Sequence, residues 1–339
     1  MVNVRIKNSI VSSVTLNSLR RHPDFKAYLA LISVCFFWGT TYLGIRMALE
    51  SFPPFALVSI RFLLSGLILL AVAVWRGAVL PTGRDLRNAC LSGVLILGIG
   101  NGALVFAELK IPSGLAGLFI TISPFWLVGL EALLPGGQRL HWPTIFGMLI
   151  GLCGAALLVA PDILGHGVGE NTLAGFLILQ IGMSCWSLGS IFQKRQVSKA
   201  HPIVVGAIHQ LAAGLAALPM ALLVHEHPVA WSWRGVAAVA YLVIFGSIVG
   251  YSSYAYALDK LPVAVVSVYP YINSIVAVAL GWLVYREPFG WVEAVAMIVI
   301  FIGVGVVKRH SFSRTLAPMA PPAVQNTAVT VNENNSAKT

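Results

Sequence analysis

Apolar residues fall along this chain in ten blocks of roughly twenty, with polar residues and helix breakers between them. The blocks cover about 28–48, 55–75, 88–108, 113–134, 143–160, 174–193, 203–224, 235–257, 263–285 and 290–307. About twenty apolar residues in a helix match the thickness of a bilayer's hydrocarbon core. The dividers, such as "ESFPP", "RGAVLPTGRDLRN", "LPGGQRLHWP" and "YREPFG", are short and rich in Pro, Gly and charge. The pattern predicts an all-α polytopic membrane protein of ten transmembrane helices, with no soluble domain inserted.

Composition agrees. The 339 residues are 58% hydrophobic and 10% charged, with a mean hydropathy of +0.84. A soluble surface needs about 25% charged residues. The net charge of +10 is explained by where it lies. Seventeen Lys and Arg, from Arg5 to Lys338, fall on the side holding both termini; Arg46, Lys110, Arg234 and Arg286 fall on the other, and Arg61 lies in the membrane. The positive-inside rule therefore predicts both termini in the cytoplasm. The basic balance is a topology signal, and no nucleic-acid partner is expected. Trp75, Trp142, Trp231, Trp233 and Trp291 stand at block ends, as an interfacial belt requires.

The chain repeats itself. At an offset of 148, Trp38 falls on Trp186, Arg46 on Lys194, Pro54 on Pro202, Leu63 on Leu211 and Gly66 on Gly214. The offset becomes 150 for Lys110 and Lys260, and 149 for Gly154 and Gly303. The expected organisation is a polar tail (1–27), a five-helix unit (28–160), an extracytoplasmic linker (161–173), a second five-helix unit (174–307) and a disordered cytoplasmic tail (308–339). Five is odd, so the second unit enters the membrane from the opposite face. Two inverted five-helix repeats are the architecture of secondary transporters, which hold substrate near the midplane between the copies.

The stretches "FFWGTTYLGIRMALESFPPFALVSIRFLLSG", "LILGIGNGALVFAELKIPSGLAGLFITISPFW" and "YLVIFGSIVGYSSYAYALDKLPVAVVSVYPYINSIVAVALGWLVYREP" resemble EamA-domain proteins of the drug/metabolite transporter superfamily, in particular the YedA-like branch. The resemblance covers nearly all of 28–307. It implies a bacterial inner-membrane transporter that exports amino acids or related metabolites. Two positions depart from the family pattern: Ser274 stands where relatives usually have Pro, and Gln138 where Glu is common.

Arg61 is the residue that most needs an explanation. An arginine inside a hydrocarbon-length segment costs about 3 kcal/mol or more unless it is solvated or paired. Its repeat-mate, His209, lies at a mirrored depth, so the two are expected to mark the ends of one pathway. Trp38, Tyr42 and Arg46 share a helical face, and Asn101 and Glu108 share another. Arg61 is expected to pair either with Glu108 or with a substrate carboxylate; for Arg46 and Glu108 the competing reading is snorkelling to the interface. Trp186, Tyr251, Tyr254, Tyr269 and Asn273 are the remaining candidates for the pathway wall, and Gln180 is a weaker one. Pro124 and Pro270 are expected to kink their helices and free backbone carbonyls.

The reading is a secondary transporter of a small organic solute working by alternating access. A facilitator or exporter of a drug-like or anionic metabolite is the alternative. His209 and Glu108 are the candidate proton carriers. An intramembrane enzyme would need paired groups at matching depth, yet Glu131, Asp259, Glu287 and Glu293 stand at block ends and Asp162 in a loop. A passive scaffold gives no reason for a duplicated, inverted core. Cys35, Cys90, Cys153 and Cys185 form no metal-ligand spacing, and there is no Walker A motif. No metal or cofactor is expected.

Overall fold

The computed structural model describes residues 25–137, 140–163, 171–196, 200–224, 229–261, 263–266 and 268–312. The expected N-terminal tail up to residue 24, most of the linker, the tail from 313 and Gln138 lie outside the described residues. The described residues form helices and turns, with no strand among them.

Ten helical spans follow in order: α1 Phe25–Leu49, α2 Pro54–Trp75, α3 Gly83–Ala107, α4 Ser113–Leu133, α5 Trp142–Ile163, α6 Thr172–Lys194, α7 Pro202–Leu223, α8 Trp233–Lys260, α9 Tyr269–Tyr285 and α10 Trp291–Phe312. Among the described residues, nine are long and apolar enough to cross a membrane, and α9 is an apolar helix of 17 residues. The chain enters α9 through a separate turn, Val263–Val266. The ninth block is thus divided, where the hydropathy pattern gave a single run of 263–285.

Proline and glycine set the ends. Pro54 and Pro202 occupy first-turn positions, where a missing N–H costs nothing. After α2, Gly77 (φ +79°) donates to the Val74 carbonyl at 2.9 Å and Ala78 to that of Ala73 at 3.0 Å. This is a Schellman closure, which needs a left-handed residue. Pro124 and Pro270 sit in the first turn of a half-helix rather than at mid-helix kinks. Span α4 breaks at Thr121–Ile122 and resumes at Ser123, and α9 starts at Tyr269.

Packing shows that the two copies are inverted. A Cβ on Gly66 of α2 would lie 2.9 Å from the Leu211 backbone nitrogen in α7; one on Gly214 of α7 would lie 2.8 Å from that of Leu63 in α2. Gly66 is the repeat-mate of Gly214, and Leu63 of Leu211, so the contact is reciprocal, and the pair runs antiparallel. The same holds for α5 and α10, where Gly154 faces Ile300 and Ala296 while Gly303 faces Gly151 and Gly147. Two-fold related, antiparallel partners require an axis lying across the helices. Small residues at both crossings allow the backbones this approach.

Ile32, Phe146, Leu149, Ile181 and Ile298 are exposed on the outside of the bundle, as a lipid-facing surface should be. The five span-end tryptophans are exposed as well. The buried core runs through Ile45, Leu57, Phe62, Phe119 and Leu242, joining both copies.

Candidate functional site

Between the copies lies a cavity of about 100 Å³ lined by α1, α2, α3, α4, α6, α7, α8 and α9. Two stretches of its wall are π-helical: Val94–Asn101 within α3 and Leu242–Val249 within α8. They are repeat-mates at the offset of 148. A π segment widens the turn and shifts the residues that follow it, and such segments recur at functional sites. Here they bring Leu97, Gly100 and Asn101 from one copy, and Gly246 and Ser247 from the other, to the same space.

Arg61 is the one charged residue among those lining the cavity. It is 4% exposed. Its Nε donates to Ser247 Oγ at 3.0 Å and a terminal nitrogen to Asn101 Oδ1 at 3.3 Å, and the guanidinium lies 4.9 Å from the Phe62 ring. A Cβ on Gly246 would come within 3.1 Å of the other terminal nitrogen. The guanidinium thus occupies a slot that a glycine leaves open, and its hydrogen-bond partners are neutral.

The pair with Glu108 is not made. Glu108 is fully buried, and neither carboxyl oxygen has a hydrogen-bond partner. Arg46 reaches the neighbourhood too, but donates to backbone carbonyls, those of Glu108 at 2.5 Å and Ile111 at 3.3 Å. The reason is local. Residues 108–111 form the turn after α3, where carbonyls lack helical partners, and they capture the Arg46 guanidinium. Arg61 points instead toward α8.

Of the residues singled out from sequence, Trp38, Tyr42, Arg61, Asn101, Trp186, Tyr251, Tyr269, Pro270 and Asn273 line the cavity; Arg46, Glu108, Pro124, His209 and Tyr254 do not. Trp38 is fixed by a bond from Nε1 to the Gly246 carbonyl at 2.9 Å and packs on Tyr254 and Tyr269, each with ring centroids 5.1 Å away. Tyr254 is therefore a support behind the wall. With its amide nitrogen assigned to the side where only acceptors stand, Asn273 donates to the carbonyls of Tyr269 and Cys35, tying α9 to α1. Gln180 accepts from Trp126 Nε1 at 2.8 Å, which joins α4 to α6. His209 does not mirror Arg61. A Cβ on Gly93 would fall on its backbone, so α3 presses against α7 there and His209 is buried away from the cavity. Its neighbour Gln210 reaches the cavity instead, as do Ser247, Thr41 and Met183. No charge or periodic signal marked these four.

The end of the molecule bearing the turns after α1, α3, α7 and α9 is closed by polar contacts. Ser51 and Ser232 share a hydrogen bond of 2.6 Å, and Ala230 donates to the Ser51 carbonyl at 2.9 Å. Arg234 pairs with Glu50 at 3.4 Å, and Tyr285 donates to Glu50. Glu287 accepts from the Ser113 amide and hydroxyl at 2.8 Å each and from the Gly114 amide at 2.9 Å. That places a carboxylate on the N-terminus of α4, where exposed amides and the helix dipole favour it. Between these contacts and the cavity, Ile45, Ala48, Phe52, Glu108 and Ile111 are all at most 3% exposed.

Family models of the EamA-like transporter family match residues 25–160 and 173–309. The chain belongs to the EamA-like transporter family. The inner-membrane transporter YedA of Escherichia coli K12 is 34% identical over 307 residues, covering 90% of this chain and 96% of YedA. A chloroplastic WAT1-related protein of Arabidopsis thaliana is 26% identical over 294 residues, covering 84% of this chain and 69% of its own. A probable terminal-alkyne amino-acid exporter of Streptantibioticus cattleyicolor is 24% identical over 297 residues, with 87% and 98% covered. One crystal structure, 22% identical, matches with a TM-score of 0.61 over 86% of this chain and 99% of that one; it shares the fold. As an EamA-like protein, the chain is a multi-pass membrane transporter whose two family units coincide with the two packed copies.

Proposed function

We propose that this transporter exports small organic metabolites, amino acids or their derivatives, by alternating access of the cavity between its two copies. The observation that carries the reading is Arg61: a buried cation on the cavity wall, held by neutral Ser247 and Asn101. A substrate carboxylate can take a bidentate contact from such a guanidinium without displacing a stronger ion pair. Trp38, Trp186, Tyr251 and Tyr269 supply an aromatic wall for the rest of the solute. No carboxylate lines the cavity, which disfavours a cationic drug as cargo.

The direction is supported by the amino-acid exporter among the relatives. The Lys/Arg distribution supports an inner-membrane location of bacterial type with both termini cytoplasmic, and boundaries near 28–160 and 174–307 for the two units. In that orientation the end that carries the Glu50, Arg234 and Glu287 contacts faces outward. If a proton is coupled, Glu108 is its best carrier, because its carboxyl oxygens have no other partner.

The test is reconstitution. Proteoliposomes preloaded with a metabolite mixture should release one or more carboxylate-bearing solutes. Arg61→Ala should lower that flux at least tenfold while Arg61→Lys keeps part of it. Unchanged flux and affinity in Arg61→Ala would remove the proposal. Flux indifferent to an imposed pH gradient would remove the proton alone.

A further inference from the structure

Gln210 lines the cavity, is 1% exposed, and has no hydrogen-bond partner for either its amide nitrogen or its amide oxygen. Buried polar groups in native proteins are nearly always satisfied, so each exception asks for a cause. Apolar Leu97 and Met183 also line the cavity, and the repeat-mate of Gln210 at the offset of 148 is Phe62. A phenylalanine or leucine would fill such a position without an unmet donor and acceptor. The glutamine stands on the wall of the space a solute would occupy, with both amide atoms unmet by protein.

Its height relative to Arg61 follows from the register of α2 against α7. Leu63 meets Gly214 and Gly66 meets Leu211, so Gln210 lies level with residue 67. That is six residues from Arg61, about 9 Å along the helix axis at 1.5 Å per residue. Arg61 and Gln210 therefore stand toward opposite ends of one cavity, the first offering charge-assisted donors and the second one neutral donor and one neutral acceptor.

We infer that Gln210 is a specificity-determining substrate contact, one that recognises an uncharged group able both to donate and to accept a hydrogen bond, a side-chain carboxamide above all, on a solute whose carboxylate is held by Arg61. A primary amide is the complement of another primary amide: N–H to O on each side. The inference rests on the proposed reading of the cavity as the transport site and adds to it a second anchor and a substrate class. The physical basis of selection is asymmetric. A site built to bond a polar group rejects the analogue lacking it, because the analogue leaves buried protein groups unmet.

The experiment uses the purified full-length protein in detergent and reads ligand-dependent thermal stabilisation, with L-glutamine and its apolar counterpart L-norleucine as probes. The wild type is expected to bind L-glutamine at least tenfold more tightly than L-norleucine. In Gln210→Leu the preference should vanish or reverse. In Gln210→Glu, L-lysine should gain affinity at the expense of L-glutamine. The unliganded thermal midpoint of each variant reports folding; should Gln210→Leu not fold, Gln210→Glu carries the test by itself. An L-glutamine to L-norleucine ratio that is unchanged in the folded variants, with binding still lost in Arg61→Ala, would overturn the role of Gln210 and leave the proposed function standing. Absence of any stabilisation of the wild type by these probes would overturn the substrate class. Binding that survives Arg61→Ala would count against the proposed function itself.

Discussion

Glu108 and Arg46 show how closely a buried polar group is tied to its surroundings. Glu108 has zero exposure and no hydrogen bond from its carboxyl oxygens, while Arg46 serves the carbonyls of the same turn. Removing the formal charge at constant shape relieves the desolvation of an unpaired group. Glu108→Gln is accordingly expected to have a thermal midpoint in detergent at least equal to that of the wild type. Arg46→Ala removes two charge-assisted bonds and leaves the carbonyls of Glu108 and Ile111 unmet, so it should cost about 2 kcal/mol; a midpoint equal to the wild type would contradict the geometry. Sequence reading reached Arg61 because a charge inside an apolar run is conspicuous. It left the partner of Arg61 open between Glu108 and a substrate carboxylate, because depth along a helix is legible from spacing whereas azimuth between different helices is not. Gln210 was missed for a related reason: a neutral amide in an Ala- and Leu-rich helix breaks no pattern.

At the level of helices, the apolar blocks and their breakers gave the spans to within a few residues at most ends, since bilayer thickness fixes length and Pro or Gly fixes the stops. The π segments of α3 and α8 left no such trace. "VLILGIGN" and "LVIFGSIV" are as apolar as any α-helix, and the close approach of Gly100 to Trp186 and of Gly246 to Arg61 is a tertiary feature that no local pattern records. The reciprocal contacts of Gly66 and Gly214 make a direct prediction. Gly66→Val and Gly214→Val each drive a branched side chain into the backbone of the partner helix, and overpacking of that kind costs about 1–3 kcal/mol. The two midpoints should fall by similar amounts, because the two sites are two-fold equivalents. A large fall in one alone would show that the equivalence is only apparent.

For the whole molecule, the closure of one end rests on few groups. Glu287 alone accepts three hydrogen bonds from the start of α4, and it does so because Arg286 takes a left-handed conformation (φ +54°) that turns the chain back. Glu287→Ala should weaken the cap by about 1–2 kcal/mol and shift the population toward a state open at that end. A cysteine placed at Ser113, now fully buried, should then react faster with a membrane-impermeant maleimide applied from the side that this end faces than the same cysteine beside Glu287. Equal rates would mean that this carboxylate does not hold the end shut.

The antiparallel register of α2 against α7 and of α5 against α10 carries one more implication. Because each copy is the other turned over, the alternating access proposed above needs only an exchange of internal shapes between the two copies. The crossing of Gly66 on Leu211 and that of Gly214 on Leu63 then trade places, so a change at either glycine bears on both halves of that cycle.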